Sequence, residues 1–132
     1  MISPGPMCVT ATLPKALEAP GAARRLLDEI SGVLAPEVAV NARLLVSEVV
    51  ANAVRHGRHD GQIGMQVELQ GNALHVEVVD PGQGFVPKAR TPESPAGSGW
   101  GLHLVSELSD RWGVEADGRT RVWFEFENAL AV

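Results

Sequence analysis

The chain has 132 residues, of which 45% are apolar and 20% charged; this is one domain with surface enough to bury for a core, not a disordered chain or a coiled coil. Sixteen acids against eleven bases leave a net charge of −5, a poor balance for a nucleic-acid binder, which turns a basic face toward phosphates. The single cysteine, Cys8, excludes an internal disulfide, and no stretch approaches the ~18 apolar residues of a membrane span.

Residues 7–13 alternate, with Val9, Ala11 and Leu13 on one side and Cys8, Thr10 and Thr12 on the other. The alternation predicts a half-buried strand. Pro14 and the pair Pro20-Gly21 punctuate the chain, and Pro20 suits a first helical turn. Ala23, Leu26, Leu27, Ile30, Val33 and Leu34 recur at helical spacing and predict an amphipathic helix over 20–34. A second helix is predicted over 36–56. There Val38, Ala42, Leu45, Val49 and Ala53 fall in one stripe at about 100° per residue, with Arg43 and Ser47 opposite and Gly57 as the stop.

Ile63, Met65, Val67 and Leu69 then alternate with polar or small residues, Gly71-Asn72 turns the chain, and Leu74, Val76 and Val78 alternate with His75 and Glu77. This predicts a hairpin over 62–79. A Pro- and Gly-rich segment, 85–98, precedes a short helix over 102–108. Two alternating strands close the chain, Trp112/Val114/Ala116 and Val122/Phe124/Phe126, joined around Asp117-Gly118. The order predicts an α+β fold with helices on one face of a mostly antiparallel sheet.

Three places break the pattern. On the second helix, Asn52 lies off the centre of the apolar stripe, and Glu48, one turn earlier, about 40° further out on the same side. An amide and a carboxylate at the rim of a buried stripe are costly unless each finds partners. The plain account makes Asn52 and His56 satisfied core residues and Glu48 a solvated shoulder. The functional account makes this helix edge a pocket wall, with an amide oxygen for a hard cation and a carboxylate able to take a proton.

The second break is Asp80-Pro81-Gly82-Gln83-Gly84-Phe85, directly after a strand. Such residues form ordinary turns. Alternatively, an acceptor-only carboxylate at a strand end receives the exocyclic amine of a base, with glycines leaving room for a flat ring. The third is Gly97-Ser98-Gly99-Trp100-Gly101-Leu102, which opens the short helix. Free N–H groups and the positive end of the helix dipole make such a start a cradle for phosphate. No strand immediately precedes it and no Gly-Lys-Ser/Thr follows, so neither the Rossmann fingerprint nor the P-loop applies.

Taken in order, Glu48-Val-Val-Ala-Asn52-Ala-Val-Arg-His56-Gly57, Asp80-Pro-Gly82-Gln-Gly84 and Gly97-Ser-Gly99-Trp-Gly101-Leu102 resemble the GHKL motifs. These mark the ATP-binding domain shared by gyrase, the ninety-kilodalton heat-shock chaperone, histidine kinases and MutL. Within that superfamily the chain is similar to the anti-sigma-factor serine/threonine kinases and their single-domain relatives. The His-Gly ending of the first motif, the short chain and the C-terminal Val122-Trp-Phe-Glu-Phe126 carry that narrower likeness, which spans about residues 7–127.

The resemblance implies a two-layer α/β sandwich with a mixed, mostly antiparallel sheet, binding ATP and Mg²⁺ in one domain over 1–132. Asn52 would coordinate Mg²⁺ and Glu48 would be the catalytic base. Asp80 would bind the adenine amine, with Gly82 and Gly84 making room for the ring. Gly97, Gly99 and Gly101, with Trp100 and the N–H groups leading into Leu102, would hold the phosphates. Segment 85–96 would be a lid, with Lys88 and Arg90 as its cations. Many relatives carry a threonine near the adenine just before the final strand; here Thr120 is expected to be displaced by one residue, with Arg121 in its place. No phosphoacceptor histidine is expected, and His56, His59, His75 and His103 read as structural or surface residues.

Two functions follow from the resemblance. One is a kinase that transfers the γ-phosphoryl of ATP to a serine or threonine of a small antagonist protein in a partner-switching system. The other is a non-catalytic ATP-binding module that sequesters a sigma factor or another protein partner. They share every nucleotide contact, and Glu48 favours the kinase. A homodimer is compatible with either. An ATPase piece of a larger machine is disfavoured, because both ends read as natural ones. The start of the chain, Met1-Ile-Ser-Pro-Gly-Pro, lacks the charged and apolar regions of a signal peptide, so a cytoplasmic location without membrane or nucleic-acid partner is expected.

Overall fold

The computed structural model describes residues 7–56, 61–80 and 100–131, with backbone alone for His56 and for 100–102. Its elements are β1 (Met7–Pro14), α1 (Ala19–Asp28), a 3₁₀ turn (Ser31–Val33), α2 (Pro36–His56), β2 (Gln62–Gln70), β3 (Ala73–Asp80), α3 (Trp100–Leu108), β4 (Arg111–Ala116) and β5 (Thr120–Phe126). The strands form one sheet in the order β1-β2-β3-β5-β4. It is the expected α+β sandwich.

All four pairings are antiparallel, so the mixed sheet expected from the resemblance has no parallel pair among the described strands. The reason is topological. The crossover from β3 through α3 delivers β4 one position away from β3, and β5 returns between them, antiparallel to both. The two tight hairpin turns use Gly71 and Gly118 at φ +60 and +74, the left-handed region that glycine enters without steric cost.

Alternate residues of β2, β3 and β5 face the helices and are buried: Ile63, Met65, Val67 and Leu69; Leu74, Val76 and Val78; Val122, Phe124 and Phe126. From α2 come Ala42, Leu45, Val46, Val49, Val50 and Ala53. That is wider than one narrow stripe, because α2 packs on α1 and α3 as well as on β3. Arg24 of α1 donates to Ser47 Oγ of α2 at 2.8 Å, a polar link along the same seam.

Helix α1 stops at Asp28 rather than at 34. Ile30 and Leu34 are buried as the periodicity requires, but through the 3₁₀ turn and an extended Leu34 (φ −84, ψ 147). A distant segment imposes this: Leu34 bridges to Leu130, Ala35 N–H donates to Ala129 O and Ala131 N–H to Val33 O. Asn72 in the β2–β3 turn holds the same segment, its carbonyl and side-chain oxygens accepting from Ala129 and Leu130 N–H.

Candidate functional site

The inward positions of β3 run Leu74, Val76, Val78 and then Asp80, which is 1% exposed. The alternation that buries three apolar side chains therefore buries a carboxylate at the strand's end. Across the sheet Asp80 is in register with Thr120, the first residue of β5, itself buried. Val49 and Ala53 of α2, with Val78, Val122, Asp80 and Thr120, line a small cavity of about 10 Å³, room for about one water. A purine enters it only when a wall gives.

A carboxylate taken out of water is costly unless it is paired. Lys15, one residue past β1, supplies a counter-charge: its Nζ donates to Asp80 Oδ1 at 3.0 Å, with the two side chains 9% and 1% exposed. No sequence pattern signals this contact, since Lys15 lies in a short connection and its partner is 65 positions away.

Glu48 and Asn52 lie one turn apart on α2, both half-buried. Their immediate successors, Val49 and Ala53, line the Asp80 cavity. The pair therefore lies about 100° around the helix from that lining, beside the cavity rather than inside it. Helix α3 begins at Trp100, two residues before the expected start, so Trp100, Gly101 and Leu102 form its first turn. Their backbone N–H groups have no acceptor within the helix. Gly82, Gly84, Gly97 and Gly99, and segment 85–96 with Lys88 and Arg90, lie outside the described residues.

Thr120, for which the sequence predicts a displacement by one residue, lines the Asp80 cavity. Arg121 sits on the other face of β5, bonded to Glu77 at 2.9 Å and to Glu115 at 3.1 Å. His75 is placed there too, with Nδ1 2.8 Å from Glu125 and Nε2 2.9 Å from Glu77, and its ring stacks on Trp123 at 5.6 Å. Arg111 joins Glu125 and Glu127. A larger depression of about 250 Å³ lies on this face, lined by Glu68, Gln70, Ala73, His75, Glu77 and Glu125. Three of its groups, His75, Glu77 and Glu125, are already committed to this ion-pair network, so the smaller cavity at Asp80 is the better candidate site.

Among the described residues no group of three His, Cys, Asp or Glu is placed to hold a metal. A Mg²⁺ ion that arrives with a nucleotide takes one or two protein oxygens, the rest coming from phosphate and water. The half-buried amide of Asn52 beside the cavity fits that modest demand. Among the described residues no helix is long and apolar enough to cross a membrane.

The family model for the histidine kinase-like ATPase domain matches residues 13–126. Among solved structures, the RsbU and RsbW domains of Rv1364c from Mycobacterium tuberculosis are similar, with a TM-score of 0.75 and 20% identity. The match covers 96% of this chain and 34% of that one, so this chain spans about a third of its length. At this identity the likeness speaks for the fold. No curated protein matches the chain.

Proposed function

Because the chain belongs to the histidine kinase-like ATPase domain family, we propose that it binds ATP with Mg²⁺ and transfers the γ-phosphoryl to a serine or threonine of a protein partner, as an anti-sigma-factor kinase does. The observation that carries this is the buried Asp80 carboxylate, in register with Thr120, in a cavity beside the α2 edge that bears Glu48 and Asn52. Asp80 accepts the adenine amine, which orients the nucleotide. Asn52 offers its amide oxygen to the Mg²⁺, which neutralises phosphate charge when bound. The first-turn N–H groups of α3 hold phosphate oxygens.

Phosphoryl transfer asks mainly for positioning and charge neutralisation. One further task falls to a protein base: Glu48 takes the proton of the attacking hydroxyl as its oxygen bonds to the γ-phosphorus and the bond to the β-phosphate oxygen breaks, leaving ADP. The network around His75, on the other face of the sheet, takes no part.

A second reading keeps the nucleotide site and drops the transfer: an ATP-dependent module that holds a sigma factor or another partner. One experiment separates the two. The protein captures its partner from the source lysate in ATP and Mg²⁺, and the captured complex is then given γ-labelled ATP. Label on a serine or threonine of the partner supports the kinase; stable capture without label supports the regulator; failure to bind ATP removes both.

A further inference from the structure

We propose that Lys15 is a base-reading residue: its ammonium, held on Asp80, donates to N1 of adenine while Asp80 accepts from the N6 amine. The inference rests on the nucleotide site proposed above and adds a residue to it. A carboxylate alone is an acceptor and takes an amine from adenine, cytosine or guanine alike. Lys15 turns that single acceptor into an ordered pair, because its Nζ is a donor only and lies 3.0 Å from Asp80 Oδ1.

The Watson–Crick edge of adenine carries a donor, N6–H, next to an acceptor, N1. An acceptor beside a donor is its complement. Guanine and hypoxanthine present the opposite order, a carbonyl next to N1–H, and would set oxygen against carboxylate. The sheet order places the two neighbours of Asp80 on different sides: Thr120 approaches from β5, and Lys15 reaches across from beyond β1 and β2. The ammonium has three N–H groups, so donating to N1 does not require it to leave Oδ1. Only 9% of its side chain is exposed, and a hydrogen bond to a base made largely away from water discriminates more than one made in water.

The test is a cycle of two nucleotides and two proteins, read by calorimetry: ATP and 1-deaza-ATP, in which N1 is a CH group, on the wild type and on Lys15→Met. Wild type is expected to bind 1-deaza-ATP at least about tenfold more weakly. In Lys15→Met, which keeps the stem and loses the donor, the ratio is expected to fall below about threefold. If Lys15→Met does not fold, Lys15→Gln replaces it, since its shorter side chain ends short of N1 and the same collapse of the ratio is expected. A ratio that stays near tenfold in the variant means that another group or a water reads N1, and overturns the inference alone. A ratio near one in the wild type, with ATP still bound, also overturns it alone. Absence of ATP binding by the folded wild type removes the nucleotide reading and this inference with it.

Discussion

Asp80 at the end of β3 and Thr120 at the start of β5 are cross-strand partners, and both are buried where an antiparallel sheet meets its covering helix. Each sits at an inward position that its strand otherwise fills with Leu, Val or Phe. Two neighbouring inward positions given to polar groups at one end of the sheet are hard to explain by packing, since the remainder of that face is apolar. A hydroxyl and a carboxylate in one cavity do suit a ligand with donors and acceptors at its edge.

Asp80→Asn is expected to weaken ATP binding at least tenfold by calorimetry, because the adenine amine loses a charged acceptor, an effect of about 1–3 kcal/mol. The same change deprives Lys15 of the carboxylate charge in a nearly buried pair. Urea unfolding should therefore show a loss of about 1–3 kcal/mol, less than for full removal of one partner because the amide can still accept. ATP affinity unchanged in a folded variant would place the base elsewhere.

Thr120→Val keeps the shape of the side chain and removes its hydroxyl. An approximately five- to tenfold loss of ATP affinity is expected, the net worth of about one hydrogen bond. If affinity holds, Thr120 contributes to the cavity wall and not to base recognition.

Strand β3 shows what the sequence made legible. Its alternation from Leu74 to Val78 predicted both the strand and its inward face, and the next inward position is Asp80. The end of α1 was not legible, because Ile30 and Leu34 keep helical spacing while the segment around Ala129 and Leu130 pulls the chain into a 3₁₀ turn and an extended residue. Periodicity reports which residues are buried, and a distant partner decides in what conformation. Lys15 was illegible for the same reason. The placement of Thr120 needed the β3–β5 register, which a chain read without its pairing does not supply.

Gly113→Ala tests the outer face independently of the site. A Cβ at this position would lie 2.6 Å from Trp123 Nε1 and 2.8 Å from two further ring atoms, and the indole is stacked against His75, so it has little freedom to yield. We expect a loss of about 1–3 kcal/mol on thermal or urea unfolding with altered tryptophan fluorescence. ATP affinity should be unchanged, because Trp123 and Gly113 lie across the sheet from the Asp80 cavity. Wild-type stability in this variant would show that the indole moves freely.

Asn52→Ala is expected to fold, since the residue is half-buried at the edge of α2 and Ala has the higher helix propensity. Titrating Mg²⁺ into the ATP-binding assay should raise affinity in the wild type and have little effect in the variant. An equal Mg²⁺ response in both would assign the cation to another ligand.

The last prediction separates kinase from regulator through Glu48. It lies one helical turn from the proposed metal ligand on the same half-buried edge, so it can reach a hydroxyl in line with the γ-phosphate. A carboxylate beside phosphates repels them, so it does not contribute to binding the nucleotide in the ground state. Removing its charge should therefore spare ATP affinity and slow transfer, the signature of an interaction made in the transition state. Glu48→Gln keeps the size and much of the hydrogen bonding, and its unfolding midpoint should stay close to wild type. Loss of a general base typically lowers turnover by about 10²–10⁴-fold, and that is the fall expected in single-turnover transfer to the captured partner. Equal transfer by both proteins would remove Glu48 from the chemistry. If neither protein transfers label while both bind ATP and partner, the regulator reading stands, and Glu48 is left to order water around the metal.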